Sequence, residues 1–378
     1  MKFKFPSVPI NPNICNMSLK PISHASAWYG KDLAQQSCKW QIVLSSKQIT
    51  ELTETILRAE SEGLKLLDLT VENFKLPSWT DLFARLKKDL FNGLGFALLR
   101  GFPSDELTPL QRGLGYFGIG VHLGLAIPQN AAGHVLGHVC DIGVDSEKIT
   151  GRGYQSKTEL NFHTDSADVV GLLCVRQARS GGISKLVSSS TIYNEMVKSF
   201  PDLVRVLMGP IFRDRREEVP RGQGPWYCIP VFNPHQGRVL TTYVRSTVRK
   251  AERFPEIPRV TPRLETAMNV FDSLADDPIN HLQMDFKPGD IQFVCNHFIL
   301  HSRTAYEDDP NPNNRRHLLR LHLACRDGPD LPLIYENLRG FNEDGRPAGT
   351  CLPGVSLSAP LEPIDGGPGK FANRRRLQ

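Results

Sequence analysis

The stretch Ile291-Gln292-Phe293-Val294-Cys295-Asn296-His297-Phe298-Ile299-Leu300-His301-Ser302-Arg303, followed after a polar loop by Arg315-Arg316-His317-Leu318-Leu319-Arg320-Leu321-His322-Leu323-Ala324-Cys325, decides how this chain is read. Both halves hold short apolar runs bounded by Asn, Asp and Pro, the mark of buried strands. Alternate side chains of a strand share a face. Arg316, Leu318, Arg320 and His322 therefore point one way, and His317, Leu319, Leu321 and Leu323 the other. Two guanidinium groups enter one interior space, where a cation is costly unless an anion meets it. The anion is either a bound acid or a buried Asp or Glu.

Outward from this stretch the pattern repeats. Runs at 169–175, 227–232 and 239–244, punctuated by Gly, Pro, Asn and Asp, predict a mainly β region from about residue 160, with helices inserted at 191–208 and 264–274. Upstream, Ser45 and Gln48 have capping-box spacing before the stripe Ile49, Leu52, Ile56 and Leu57. Leu82, Leu86 and Leu90 form a second stripe, 96–99 reads as a strand, and Thr108-Pro109 opens a third helix. The expected organisation is an N-terminal arm over 1–40, one domain over 41–342 that is mainly β with α insertions, and a Gly/Pro-rich tail over 343–378, mobile or draped on the surface.

With 40% apolar and 22% charged residues the chain of 378 can bury a sizeable core. The net charge of +5 is spread along the chain apart from Arg374-Arg375-Arg376, which weighs against a nucleic-acid partner and favours small anionic molecules. No apolar run of about 18 residues and no signal-like start is present, so a soluble, cytoplasmic protein without a membrane partner is expected, and a homo-oligomer is compatible with it. The eight cysteines stand singly and read as reduced, mostly buried thiols.

Three features are set aside. Gly113, Gly115 and Gly118 match GxGxxG but follow a helical pattern, so they read as packing glycines. His134 and His138, with Asp141, would seed a zinc hydrolase, but Val stands where its Glu base belongs. The charged stretch 214–225 reads as a solvated connector rather than a lid.

Chemistry concentrates at Asn161-Phe162-His163-Thr164-Asp165. On a strand His163 and Asp165 face one side, and a His from a facing strand, best His301, would complete two imidazoles and a carboxylate, the set suited to iron(II) with open positions.

His163-x-Asp165, the turn Gly181-Gly182-Ile183-Ser184, the segment from Asn296 to Leu300-His301-Ser302-Arg303, and Arg316 with Arg320 together resemble the taurine dioxygenase-like (TauD/TfdA) branch of Fe(II)/2-oxoglutarate oxygenases, fungal members above all, over about residues 90 to 330. The resemblance implies a double-stranded β-helix (jelly-roll) core flanked by helices. It also implies that His163, Asp165 and His301 bind Fe(II), and that Arg316 and Ser184 hold 2-oxoglutarate. Ser184 follows Gly-Gly-Ile where the family has Thr after Gly-Gly-Asp, and 308–314 is a loop insertion that lengthens the interval from His301 to Arg316. Such enzymes use iron, 2-oxoglutarate and O2 to oxidise a C–H bond, with succinate and CO2 as by-products.

By the same resemblance Arg320 would meet an acidic group of the substrate. Glu159, four residues before His163, is read either as the partner of a substrate amine or, as is commoner for Glu, as a surface residue. An amino or organic acid of a biosynthetic, secondary-metabolic pathway is the expected substrate, to be hydroxylated, desaturated or cyclised. A neutral apolar natural product is the alternative. The rival classes are the zinc hydrolase of His134 and His138 and a non-catalytic barrel that binds a small acid.

Overall fold

The computed structural model describes residues 18–368 apart from Ser146 and Arg221, so Cys15, part of the expected arm and the run Arg374-Arg375-Arg376 lie outside the described residues. Two β-sheets dominate. The larger runs Gln41–Val43, Phe96–Arg100, Ile291–Cys295, Val169–Arg176, His317–Ala324 and Leu125–Ala126, with Leu136–Val139 also paired to His317–Ala324. Its pairings are antiparallel except the first, which is parallel. The smaller sheet is antiparallel in the order His281–Met284, Ser184–Ser188, Ile299–Arg303, Leu160–His163.

Strand alternation divides the core. Leu186, Leu282, Met284 and Ile299 of the smaller sheet join one large cluster with Val170, Leu173, Phe293 and Leu318 of the larger sheet. Their neighbours Val187 and Leu300 point the other way, into a second cluster with Ile192, Val204, Met268 and Phe271 from the helices behind. One face of the smaller sheet thus looks towards the larger sheet, and that is the face on which the site is built.

The upstream helices form where their caps predict. Ser45 caps Ser46–Ser61 and Thr108 caps Pro109–Val121, each through a capping box. The GxGxxG glycines lie inside the second of these helices. A Cβ on Gly118 would sit 2.3 Å from the Phe74 ring and one on Gly115 2.6 Å from Ile56, so these glycines allow close packing.

Elsewhere the structure departs from expectation. The helix expected over 191–208 is two, Ser189–Ser199 and Pro201–Leu207, because Pro201 has no N–H to continue the first. The run 227–232 is split between Trp226–Cys228 and Phe232–His235, which belong to different hairpins. Within the expected arm, Trp28, Leu33 and Trp40 belong to the core, and the Trp28 indole donates to the Leu94 carbonyl at 2.8 Å. The described part of the tail is pinned as well, since Thr350 pairs with Gln129 and Ser358 with His134. The stretch 214–225 is no solvated connector: Asp214, Arg215 and Glu218 are each at most 2% exposed. Arg152 and Arg339 meet Glu218 there, which removes the cost of burying its carboxylate. The seven cysteines among the described residues are free thiols, and no helix among the described residues is long and apolar enough to cross a membrane.

Candidate metal centre and cosubstrate cavity

His163 ends its strand directly opposite His301 in the antiparallel register, with ring centroids 4.3 Å apart. Asp165 lies two residues past the strand end, so alternation does not place it. Two hydrogen bonds do. Its backbone N–H donates to Asn296 Oδ1 at 3.0 Å, and its Oδ2 accepts from His322 Nε2 at 3.0 Å. Donor atoms of His163, Asp165 and His301 all lie within 4.8 Å of one another, and among the described residues no other group of three or more His, Cys, Asp or Glu is so gathered.

The protonation states suit a metal. His163 Nδ1 donates to the Asn161 carbonyl at 2.8 Å, which leaves the Nε2 lone pair free. His301 Nε2 lies 3.7 Å from Asp165 Oδ2, and burial together with the neighbouring His163 pushes its pKa down to about 3, so it is neutral at pH 7. Burial opposes ionisation of Asp165, but His322 and Arg320 outweigh it and hold the carboxyl well below its ordinary range. Two neutral imidazoles and one carboxylate are the forms metal binding requires.

The adjoining cavity is lined by His163, His301, Ser184, Arg303, Arg316 and Arg320, with Tyr154, Leu318 and others. Arg316 Nη1, Arg320 Nη2 and Arg303 Nε and Nη1 are shielded from solvent without a hydrogen-bond partner. Arg316 and Arg303 both face the Tyr306 ring, at 5.1 and 4.7 Å from its centroid. Gly182 makes room for this: at φ 70° a Cβ would stand 2.9 Å from Arg316 Nε. Arg320 donates through Nε to Gln129 Oε1 at 2.7 Å and approaches Asp165 Oδ2 at 3.7 Å with Nη1.

Two expected participants are elsewhere. Glu159 is exposed just before the strand Leu160–His163 and is not among the cavity-lining residues, because a carboxylate left in water needs no partner. His138 spends both nitrogens on His317 Nε2 and the Pro360 carbonyl, each at 2.8 Å, and it lies on the strand Leu136–Val139 rather than on a helix. A zinc pair with His134 on one helix face therefore does not form. His322, Asn296, Arg303 and Tyr154 had no role assigned from sequence. His322 carried a readable signal, two residues after Arg320 on the same strand face, and Asn296 and Arg303 lie in the segment that carries the family resemblance.

Behind the ligands lies a buried layer. Asp168, three residues after Asp165, accepts from His297 Nε2 at 2.7 Å, Arg346 Nε at 2.9 Å and the Cys325 N–H at 2.8 Å. Its carbonyl accepts from the N–H of Asn296 at 3.0 Å, the residue that holds Asp165. The tail thus reaches the loop of Asp165 through Arg346 and Asp168. Replacing Arg346 with Met is expected to weaken Fe(II) binding by about 10- to 100-fold, the range for outer-layer partners of metal ligands, and Arg346→Lys by less. Anaerobic Fe(II) titration checks this, and an unchanged dissociation constant in Arg346→Met would remove the assigned role.

A structural zinc closes its shell with four protein ligands, whereas three on one side leave positions open for a chelating cosubstrate, as iron(II) chemistry needs. With unbonded arginines across the cavity to meet an acid, fold and site define a mononuclear non-heme Fe(II)/2-oxoglutarate-dependent oxygenase. The chain belongs to the family "Taurine catabolism dioxygenase TauD, TfdA family", whose model matches residues 51–322. It is 32% identical over 324 residues to the FR-33289 synthase of Streptomyces rubellomurinus, covering 83% of this chain and 93% of that protein. It is 28% identical over 320 residues to the taurine hydroxylase-like protein SAT17 of Stachybotrys chartarum, covering 81% of each. Among solved structures, asparagine oxygenase in complex with Fe(II), hydroxyasparagine and succinate superimposes with a TM-score of 0.59 at 17% identity, covering 75% of this chain and 93% of that one.

Proposed function

We propose that the protein oxidises a small amino or organic acid, with Fe(II) held by His163, Asp165 and His301, the distal 2-oxoglutarate carboxylate by Arg316 and Ser184, and the acidic group of the substrate by Arg320. The two sheets are read as the halves of a double-stranded β-helix. The observation that carries the proposal is the pair of buried arginines, Arg316 just before the strand His317–Ala324 and Arg320 within it, each with an unbonded guanidinium nitrogen and each lining the cavity that His163 and His301 also line. A buried cation left unmatched is strongly disfavoured; among the described residues Arg316 has no ion-pair partner and Arg320 has only Asp165 Oδ2 at 3.7 Å, so a bound anion would stabilise both. The amino acid named with the asparagine oxygenase structure favours an amino acid here as well.

When bound, iron and 2-oxoglutarate supply O2 activation coupled to release of CO2 and succinate. The chain's own residues do the rest. His322 keeps Asp165 anionic and oriented. The Asn161 carbonyl fixes the His163 tautomer. Ser184 lines the same cavity as Arg316, and its hydroxyl would donate to the carboxylate that Arg316 attracts, while Arg320 would set which C–H bond faces the metal. A small change of substrate pose separates hydroxylation from desaturation or ring closure.

A panel of acids and neutral analogues, ranked by Fe(II)- and 2-oxoglutarate-dependent succinate yield, tests the proposal, and a best substrate with no anionic group would overturn it. Arg320→Lys keeps the charge and loses the planar fork. It is expected to raise the substrate KM by about 10-fold, as the loss of one charge-assisted hydrogen bond does, with a much smaller change in the 2-oxoglutarate KM. An equal rise in both would move Arg320 out of the substrate site.

A further inference from the structure

Across the smaller sheet Met284, Ser184 and Arg303 stand in one row, each directly opposite the next in the antiparallel register. Residues so paired share a face, with Cβ atoms about 4.5–5.5 Å apart. Arg303 therefore leaves the sheet beside the Ser184 hydroxyl. It also follows His301 by two residues on the strand Ile299–Arg303, so these two side chains leave the same face about 7 Å apart at the usual rise. All three, with Arg316, line the cavity.

The guanidinium of Arg303 is only partly used. Its Nη2 donates to the carbonyls of Ser156, at 3.0 Å, and Thr158, while Nε and Nη1 are shielded from solvent without a hydrogen-bond partner. Arg303 is 5% exposed, and among the described residues no carboxylate pairs with its guanidinium or with that of Arg316. The two cations instead share the Tyr306 ring. Burial and the Arg316 charge push the pKa of Arg303 down to about 10, and Asp141 and Asp308 act on it less than Arg316 does. Two cations that repel one another in a shielded place are both relieved by one shared anion.

We propose that Arg303 is a second donor to the distal carboxylate of 2-oxoglutarate, which Arg303 and Arg316 clamp together while Ser184 adds its hydroxyl. The inference rests on the oxygenase reading above, which gives that carboxylate one arginine and one hydroxyl, and it adds a residue to the same site. The competing role for Arg303 is a brace that only holds the backbone of Ser156 and Thr158.

The test uses the full chain loaded with Fe(II) without O2, titrated with 2-oxoglutarate and with 2-oxopentanoate, which keeps the chelating end and carries a methyl group in place of the distal carboxylate. Visible absorbance reports binding, and the ratio of the two dissociation constants isolates the contribution of that carboxylate. Arg303→Gln keeps a donor for the Ser156 and Thr158 carbonyls and removes the charge. It is expected to lower the ratio about 10-fold by weakening 2-oxoglutarate alone, the usual loss for one charge-assisted contact, and Arg303→Lys is expected to keep most of the ratio. A brace would weaken both acids alike or neither, and either result in folded Arg303→Gln would overturn the proposal. Arg303→Met, also uncharged, serves the same comparison should Arg303→Gln not fold. Arg316→Gln in the same titration separates the two readings. A lowered ratio there with an unchanged one in the Arg303 variants would sink this inference alone, whereas equal binding of both acids by the unaltered protein, or binding of neither, would sink the cosubstrate site and this inference together.

Discussion

Replacing His163 or Asp165 with alanine is expected to abolish 2-oxoglutarate turnover, by well over the ~100-fold that loss of an outer-layer partner can cost a metal site, while the protein still unfolds cooperatively. His163 and Asp165 sit at and just beyond a strand end and are half-buried. Truncating them therefore removes ligands without opening a large cavity in the core. The remaining two ligands hold iron poorly. His301→Ala is expected to behave alike in activity but to cost more stability, since His301 is buried within a central strand of the smaller sheet. Succinate release and thermal unfolding, measured side by side, check both statements. Turnover at the unaltered rate in His163→Ala or Asp165→Ala with iron still bound would remove the triad from the mechanism.

Arg316→Ala is expected to raise the 2-oxoglutarate KM by about 30- to 1,000-fold, equivalent to about 2–4 kcal/mol for one or two charge-assisted hydrogen bonds. The effect is large because Arg316 is 4% exposed and its alternative partners are few. Its own backbone N–H, not its side chain, is what Asp308 Oδ1 accepts, at 2.7 Å. Ser184→Ala, which removes one neutral hydroxyl, is expected to raise the same KM only a few-fold. Steady-state kinetics with varied cosubstrate distinguish the two. An unchanged KM in Arg316→Ala would shift the cosubstrate role to Arg303, which shares the Tyr306 ring and has unbonded nitrogens of its own.

What sequence could show follows from the range of the interactions. Strand alternation is local, so the shared face of Arg320 and His322 was legible, and so was His301 opposite His163, whereas Arg316 precedes the strand and a register irregularity after His317 separates it from that face. Helix caps are local as well, and Ser45 and Thr108 marked their helices within one residue. Asp165 was identified for the right side but the wrong reason, since Asn296 and His322 hold it rather than a strand. Those partners lie 131 and 157 residues away. The same distance hid the buried charges of 214–225. Glu218 meets Arg152 across 66 residues and Arg339 across 121, and without those partners a run rich in Arg and Glu can only read as solvated. Arg346, 178 residues from Asp168, turned a Gly/Pro-rich tail into part of the metal site's support in the same way. Glu159 failed for the opposite reason. Its spacing from His163 was local, but the strand begins only after it, so spacing said nothing about direction.

In the proposed site His163, Asp165 and His301 hold one iron(II) to which 2-oxoglutarate binds. Anaerobic addition of Fe(II) and then 2-oxoglutarate to the metal-free protein tests this most directly. One iron per chain is expected, with a visible charge-transfer band that appears only when both are present and is absent from Asp165→Ala. One tightly bound zinc with no such band, or no metal bound at all, would contradict it.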